Sequence, residues 1–172
     1  MDAEESKARA LFEAARWPSG PVCPHCESEN AYRLRSKLES KHRLRDGVLK
    51  CPACRRRFTV TACTIFAGSH VSLTKWILAI VLLCGTSQRV SALALQRELD
   101  LGSYRSALFV WRRIQWAINQ PPVRKVAIPM EPSEALSVLL RVKPTSDMPK
   151  PGAHRRKSVW ADVEDEMSRS SR

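Results

Sequence analysis

The sequence predicts a small α+β protein: a ribbon of short antiparallel β-hairpins, then an all-α unit of three helices, then a largely disordered C-terminal tail. Three observations carry that class. Four of the six cysteines fall in two C-x-x-C pairs within residues 21–62, among short β-like runs (AYRLRS, GVLK, RFTVT). Residues 70–120 repeat apolar positions at helical spacing. Residues 121–172 open on Pro121-Pro122, hold most of the prolines and end in a charged, Ser-rich run.

The chain opens with MDAEESKARALFEAARW, charged and amphipathic, which reads as a helix within residues 1–20 stopped by Pro18 and Gly20. It lacks the apolar centre of a signal peptide. The most apolar run, WILAIVLLC from Trp76 to Cys84, is about half the length a membrane span needs. The expectation is a cytoplasmic protein with no membrane partner. Thiols there stay reduced, so the cysteines point to metal and not to disulfides.

In residues 21–62, Cys23-Pro24-His25-Cys26 is answered by Cys51-Pro52-Ala53-Cys54, with 24 residues between the pairs. Zn²⁺ takes four ligands at the corners of a tetrahedron, and thiolates suit it. A two-residue gap lets both sulfurs of one tight turn reach the same ion. Two such turns, each at a hairpin, make a rubredoxin-like zinc ribbon with Cys23, Cys26, Cys51 and Cys54 as ligands. Four thiolates close the coordination shell, so the single zinc is structural and not catalytic. The ribbon is too small to fold on apolar burial alone, and the ion supplies folding energy. A thiol–disulfide catalyst is the alternative for Cys23 and Cys26. It leaves Cys51 and Cys54 unexplained, and no helix of the right length follows Cys26. His25 lies outside a completed shell. Cys84 reads as a small buried hydrophobe, and Cys63 as a packing residue.

Charge is concentrated in the same region. The chain carries 29 Lys and Arg against 17 Asp and Glu, a net +12. Residues 33–57 hold ten of those cations, opposed by Glu39 and Asp46 alone. Such a balance suits a polyanion, with double-stranded DNA the first candidate partner. Arg33, Arg35, Arg55, Arg56 and Arg57 are the candidate contacts of that strip. The plain alternative is a basic soluble protein.

Residues 70–120 hold three helical pieces. The first runs from about Leu73 to Cys84, with Ser72 as N-cap and Gly85 at its stop. The second runs from about Ser91 to Leu99, with Ser91 as cap and Leu93, Leu95 and Leu99 as apolar contacts. The third runs from about Ser103 to Ile118, where Ala107, Trp111, Ile114 and Ile118 share one face. Asp100-Leu101-Gly102 forms a short turn between the last two. Helix, Gly-containing turn, longer helix is the helix-turn-helix outline. Its second helix reads the major groove with its N-terminal residues, here Ser103, Tyr104, Arg105 and Ser106. Arg112 and Arg113 flank the buried face and are further candidates for phosphate or base contact. A plain three-helix bundle with solvated arginines is the alternative.

Taken in order, the segments CPHC, YRLR, CPACRRRFTVTACTIFAGSHVSLTKWILAIVLL and VSALALQRELDLGSYRSALFVWRRIQWAI resemble the N-terminal half of transposases of the IS1595 (ISXO2-like) group. The resemblance covers about residues 21–118. It implies zinc ligation by Cys23, Cys26, Cys51 and Cys54, and a helix-turn-helix over about Ser91 to Ile118. The group has glycine where this chain has Cys63. Full members continue into an RNase H-like domain with an acidic triad and two metal ions. The acids after Ile118 are Glu131, Glu134, Asp147, Asp162, Glu164, Asp165 and Glu166. None lies on a strand-like run that would hold two ions roughly 4 Å apart. The expected function is therefore binding of insertion-sequence DNA, with no catalytic residue assigned. The alternatives are an active transposase subunit completed by another chain, and a zinc-ribbon protein-interaction adaptor. A homo-oligomer is compatible with each.

Overall fold

A computed structural model of the chain describes residues 3–34, 46–85, 90–120 and 131–150. Helix α1 spans Ala3–Arg16. Strands β1 (Tyr32–Arg33), β2 (Leu49–Lys50) and β3 (Arg57–Phe58) follow, then helices α2 (Leu73–Cys84), α3 (Ala92–Glu98), α4 (Tyr104–Ile118) and α5 (Pro132–Arg141). The strands form one antiparallel sheet in the order β1-β2-β3, pairing Tyr32 with Lys50 and Leu49 with Phe58. The small α+β class is the one the sequence predicts.

Local chemistry sets the helix ends. The hydroxyls of Ser72, Ser91 and Ser103 accept from the amides of Lys75, Ala94 and Ser106, at 3.4, 3.1 and 3.2 Å. The first turn of α2 has a second cap from far away in sequence: the Glu5 carboxylate on α1 accepts from the Leu73 amide at 2.9 Å and the Thr74 amide at 3.2 Å. An anion there also suits the positive end of the helix dipole. Gly85 ends α2 in right-handed geometry. Its glycine is needed for space, because a Cβ there would lie 2.6 Å from the Val81 carbonyl oxygen. Between α3 and α4, the residue that turns left-handed is Asp100 (φ 45°), not Gly102. The Asp100 and Leu101 amides donate back to the Arg97 and Gln96 carbonyls at 3.2 and 3.0 Å, a Schellman closure. Buried Leu101 completes it.

The helices share one core. Phe12 of α1, Phe66, Trp76 of α2 and Phe109 of α4 stack edge to face in a row, with centroids 4.9, 5.1 and 6.2 Å apart. Ile80, Leu95, Val110, Ile114, Leu136 and Leu139 pack around them. The helical body is therefore larger than the expected three-helix unit, because α1 and α5 both pack on α2. This corrects the flexible tail for residues 131–150: Pro132 starts α5, which buries Ala135, Leu136, Leu139 and Leu140. Residues 121–130 and 151–172, the rest of that expectation, lie outside the described residues.

The ribbon has its own small core of Cys23, Leu49, Cys51 and Phe58. Trp17, just after α1, packs against both cores and meets Phe58 edge to face at 5.9 Å.

Candidate metal centre and nucleic-acid surface

The ribbon brings the two C-x-x-C turns face to face. The Cys51 amide donates to the Arg56 carbonyl at 3.0 Å, and the Cys23 amide to the Ser28 carbonyl at 2.9 Å, the same closure in both turns. The residue after each second cysteine, Glu27 (φ 61°) and Arg55 (φ 60°), is left-handed. The repeated geometry aims all four sulfurs inward. The ligand atoms of Cys23, Cys26, Cys51 and Cys54 lie within 4.8 Å of one another. Cys23 and Cys54 sulfurs are 3.6 Å apart, and those of Cys26 and Cys51 3.5 Å. Four sulfurs about 2.3 Å from a central Zn²⁺ would be spaced by about 3.8 Å, so the donor set fits the ion. The backbone amide of Cys54, then the Cys26 thiol and the Ala53 amide, pull the Cys51 thiol down against the effect of burial, while hydrogen bonding with Cys51 pushes the Cys26 thiol up, so the pair shares a proton until a metal displaces it. Amides aimed at sulfur favour the thiolate a metal needs. The four cysteines hold one structural zinc ion.

The remaining cysteines separate. Cys84 is buried at the end of α2, and burial pushes its thiol up to about 11. Cys63 is exposed, which corrects its reading as a packing residue. Its backbone is left-handed (φ 56°), a conformation that favours glycine. That is the position where the resembling transposases have glycine.

The candidate DNA contacts also divide. Arg55, Arg56 and Arg57 are exposed, with no acidic partner among the described residues. Arg33 is exposed but pairs with Glu13 of α1 at 2.5 Å. Arg35 lies outside the described residues. Tyr104, Arg105 and Arg112 are exposed on α4, and Ser106 is half-buried. The Ser103 and Ser106 hydroxyls are engaged with each other at 3.0 Å, as part of the α4 cap.

Arg113 is a correction. It is 2 % exposed and faces inward, in line with Val110, Ile114 and Ala117. Its Nη1 donates to the Ile65 and Ala67 carbonyls, both at 2.6 Å, and its Nε to the Pro149 carbonyl at 2.8 Å. The guanidinium lies 4.4 Å from the Phe109 ring centroid. Desolvation lowers its pKa to about 10, which leaves it charged at neutral pH. A charge so enclosed is withdrawn from phosphates. The sequence held one clue: Arg113 is three residues after Val110 and four before Ala117, on the apolar stripe.

Sequence reasoning also missed Arg16. It donates to the Val60 carbonyl and lies over the Trp17 ring. No helix among the described residues is long and apolar enough to cross a membrane.

Residues 3–57 match the model of the transposase zinc-ribbon domain of IS1595-type elements. That match includes α1, consistent with the contacts α1 makes to the ribbon. A curated relative, named as an uncharacterized protein in transposable element ISH50 of Halobacterium salinarum, is 33% identical over 111 residues. The alignment covers 64% of this chain and 34% of the relative, so the chain spans about a third of that protein's length. No solved structure matches. The paired C-x-x-C turns, the closed four-cysteine site and these likenesses agree: residues 3–57 form a zinc ribbon similar to that of IS1595-type transposases.

Proposed function

We propose that the protein binds double-stranded DNA, docking through the ribbon and reading sequence with α4 in a helix-turn-helix. One observation carries this reading most. Directly after the fourth zinc ligand, Arg55, Arg56 and Arg57 stand exposed and unpaired among the described residues, on a segment the metal holds in shape. Unpaired cations on a fixed scaffold attract phosphates without first breaking internal ion pairs. The α3–α4 pair supports the second half of the reading. Its Schellman turn is tight, and Tyr104, Arg105 and Arg112 are exposed on the second helix. The reduced thiols the zinc needs suit the cytoplasm.

The test is a binding assay on duplexes selected from a random pool. Reversing charge at Arg55, Arg56 and Arg57 should weaken binding to all duplexes alike and flatten its salt dependence, by a slope of about 0.9 for each phosphate no longer neutralised. Arg105→Ala should instead reduce preference for the selected site over others. If neither variant alters binding to any duplex, the proposal fails. Capture of a protein partner that survives nuclease would favour the adaptor reading.

The likeness to a protein of a transposable element favours a second reading, an active transposase subunit completed by another chain. A strand-transfer assay with Mg²⁺ or Mn²⁺ decides it.

A further inference from the structure

The segment that leads from the ribbon to α2 is composed like a loop but held like a core element. Residues 60–67 run VTACTIFA. Val60, Thr64, Ile65 and Phe66 are buried, with Thr64 and Ile65 at 0 % exposure. The Thr64 hydroxyl donates to the Thr61 carbonyl at 2.7 Å and accepts from the Phe66 amide at 3.2 Å. Two arginines grip the segment from different helices. Arg16, at the end of α1, takes the Val60 carbonyl. Arg113, in the middle of α4, takes the Ile65 and Ala67 carbonyls. Arg113 also ties down the Pro149 carbonyl, beyond α5.

A buried guanidinium on three carbonyls is an unusual use of charge. Its desolvation is offset only while the acceptors stay in place, so the arrangement resists displacement of any of them. Flexible connectors, in contrast, expose their backbone to water and turn freely. The ribbon is braced at two further points. Trp17 packs on Phe58, and Arg33 pairs with Glu13.

We infer that Arg113 and Arg16 are positioning residues that lock the ribbon and α4 into one rigid body, so that the protein recognises a two-part DNA site at a single fixed spacing. This rests on the DNA-binding reading. Two binding surfaces on one rigid body engage together, and the second adds affinity without further ordering. The same rigidity makes a change of spacing costly. One inserted base pair shifts the second half of the site by about 3.4 Å along the axis. It also rotates that half by roughly 35°.

The test uses the full, zinc-loaded chain. A duplex selected by the wild type is footprinted, and one or two base pairs are inserted between the ribbon and α4 footprints. The wild type should bind at least about 100-fold more weakly, as expected when only one of two linked surfaces can engage. Arg113→Lys keeps the charge but lacks the planar fork that bridges carbonyls. It should discriminate less than about 10-fold between spacings. Arg16→Lys tests the other end of the segment if the first variant does not fold.

Spin labels at Arg56→Cys and Arg112→Cys, in a Cys63→Ser background, give a readout that needs no DNA. The wild-type distance distribution should be single and narrow, and Arg113→Lys should broaden it. If no duplex is selected, the DNA reading fails while these distances still decide the rigid joint. A broad wild-type distribution overturns the inference. So does a wild type that tolerates inserted base pairs, or an Arg113→Lys protein as narrow and as strict as the wild type.

Discussion

The ribbon and the helical body reach order by opposite means. The ribbon has three strands of two residues each and a core of four buried side chains, two of them zinc ligands. Sheets that short bury too little apolar area to fold alone, so four metal–sulfur bonds hold them. The helical body buries more than twenty apolar side chains around an aromatic row, and its helix ends are capped by serines and a carboxylate. Each large side chain there contributes about 1.5–3 kcal/mol. One half depends on an ion and the other on packing, and only the ion can be withdrawn by a chelator.

Removing zinc is the strongest way to break that contrast. Cys51→Ser, or a chelator, should abolish the single bound ion, whose binding contributes on the order of 10 kcal/mol. Far-UV circular dichroism should keep most of its helical signal, because the core of α1, α2, α4 and α5 contains no ligand. Loss of the helices together with the zinc would show that the two regions are one folding unit. Thiol alkylation at pH 8 sharpens the same experiment. The zinc-loaded protein should react at Cys63 alone, a chelator should free four more thiols, and Cys84 should react only after denaturation. Burial raises the Cys84 thiol from an ordinary value of 9.0 to about 11, so the folded state holds its proton more firmly. That stabilisation is complete below pH 9 and is lost as the pH rises through 11.

Phe66→Ala should come next, at about 3–5 kcal/mol, because it opens a cavity between Phe12 and Trp76. Chemical denaturation should show the loss while zinc content stays at one ion per chain. Glu5→Ala should cost about 1–2 kcal/mol by uncapping α2, read as a lower melting temperature. Cys63→Gly should be the mildest. It relieves left-handed strain but adds freedom to the unfolded chain, and the two leave a gain of about 1 kcal/mol or less.

What could be read from the sequence was local. The zinc ligands announce themselves by spacing, since two residues between cysteines is what one turn around one ion requires. The serine caps were legible for the same reason: cap and capped amide are three residues apart. Arg113 was legible only as a position on the apolar stripe, and its role was hidden because its three carbonyl acceptors come from distant segments. Two of those, on Ile65 and Ala67, lie 48 and 46 residues away in sequence. Helix α5 was hidden by its Pro-rich surroundings. Its apolar patch, Ala135 to Val142, gains meaning only from the faces of α1 and α2 that receive it. The turn before α4 shows a smaller lapse, where glycine drew attention and the left-handed backbone fell to Asp100.

The Glu5 cap has a consequence for the order of assembly. On the ribosome, α1 emerges before α2, yet its carboxylate waits for amide groups made 68 and 69 residues later. Nor can the first turn of α2 be completed by its own neighbourhood alone. A chain begun just before Cys23 would keep every zinc ligand, yet leave the Leu73 and Thr74 amides without that acceptor. The cap that completes α2 therefore lies well ahead of the first zinc ligand in the chain.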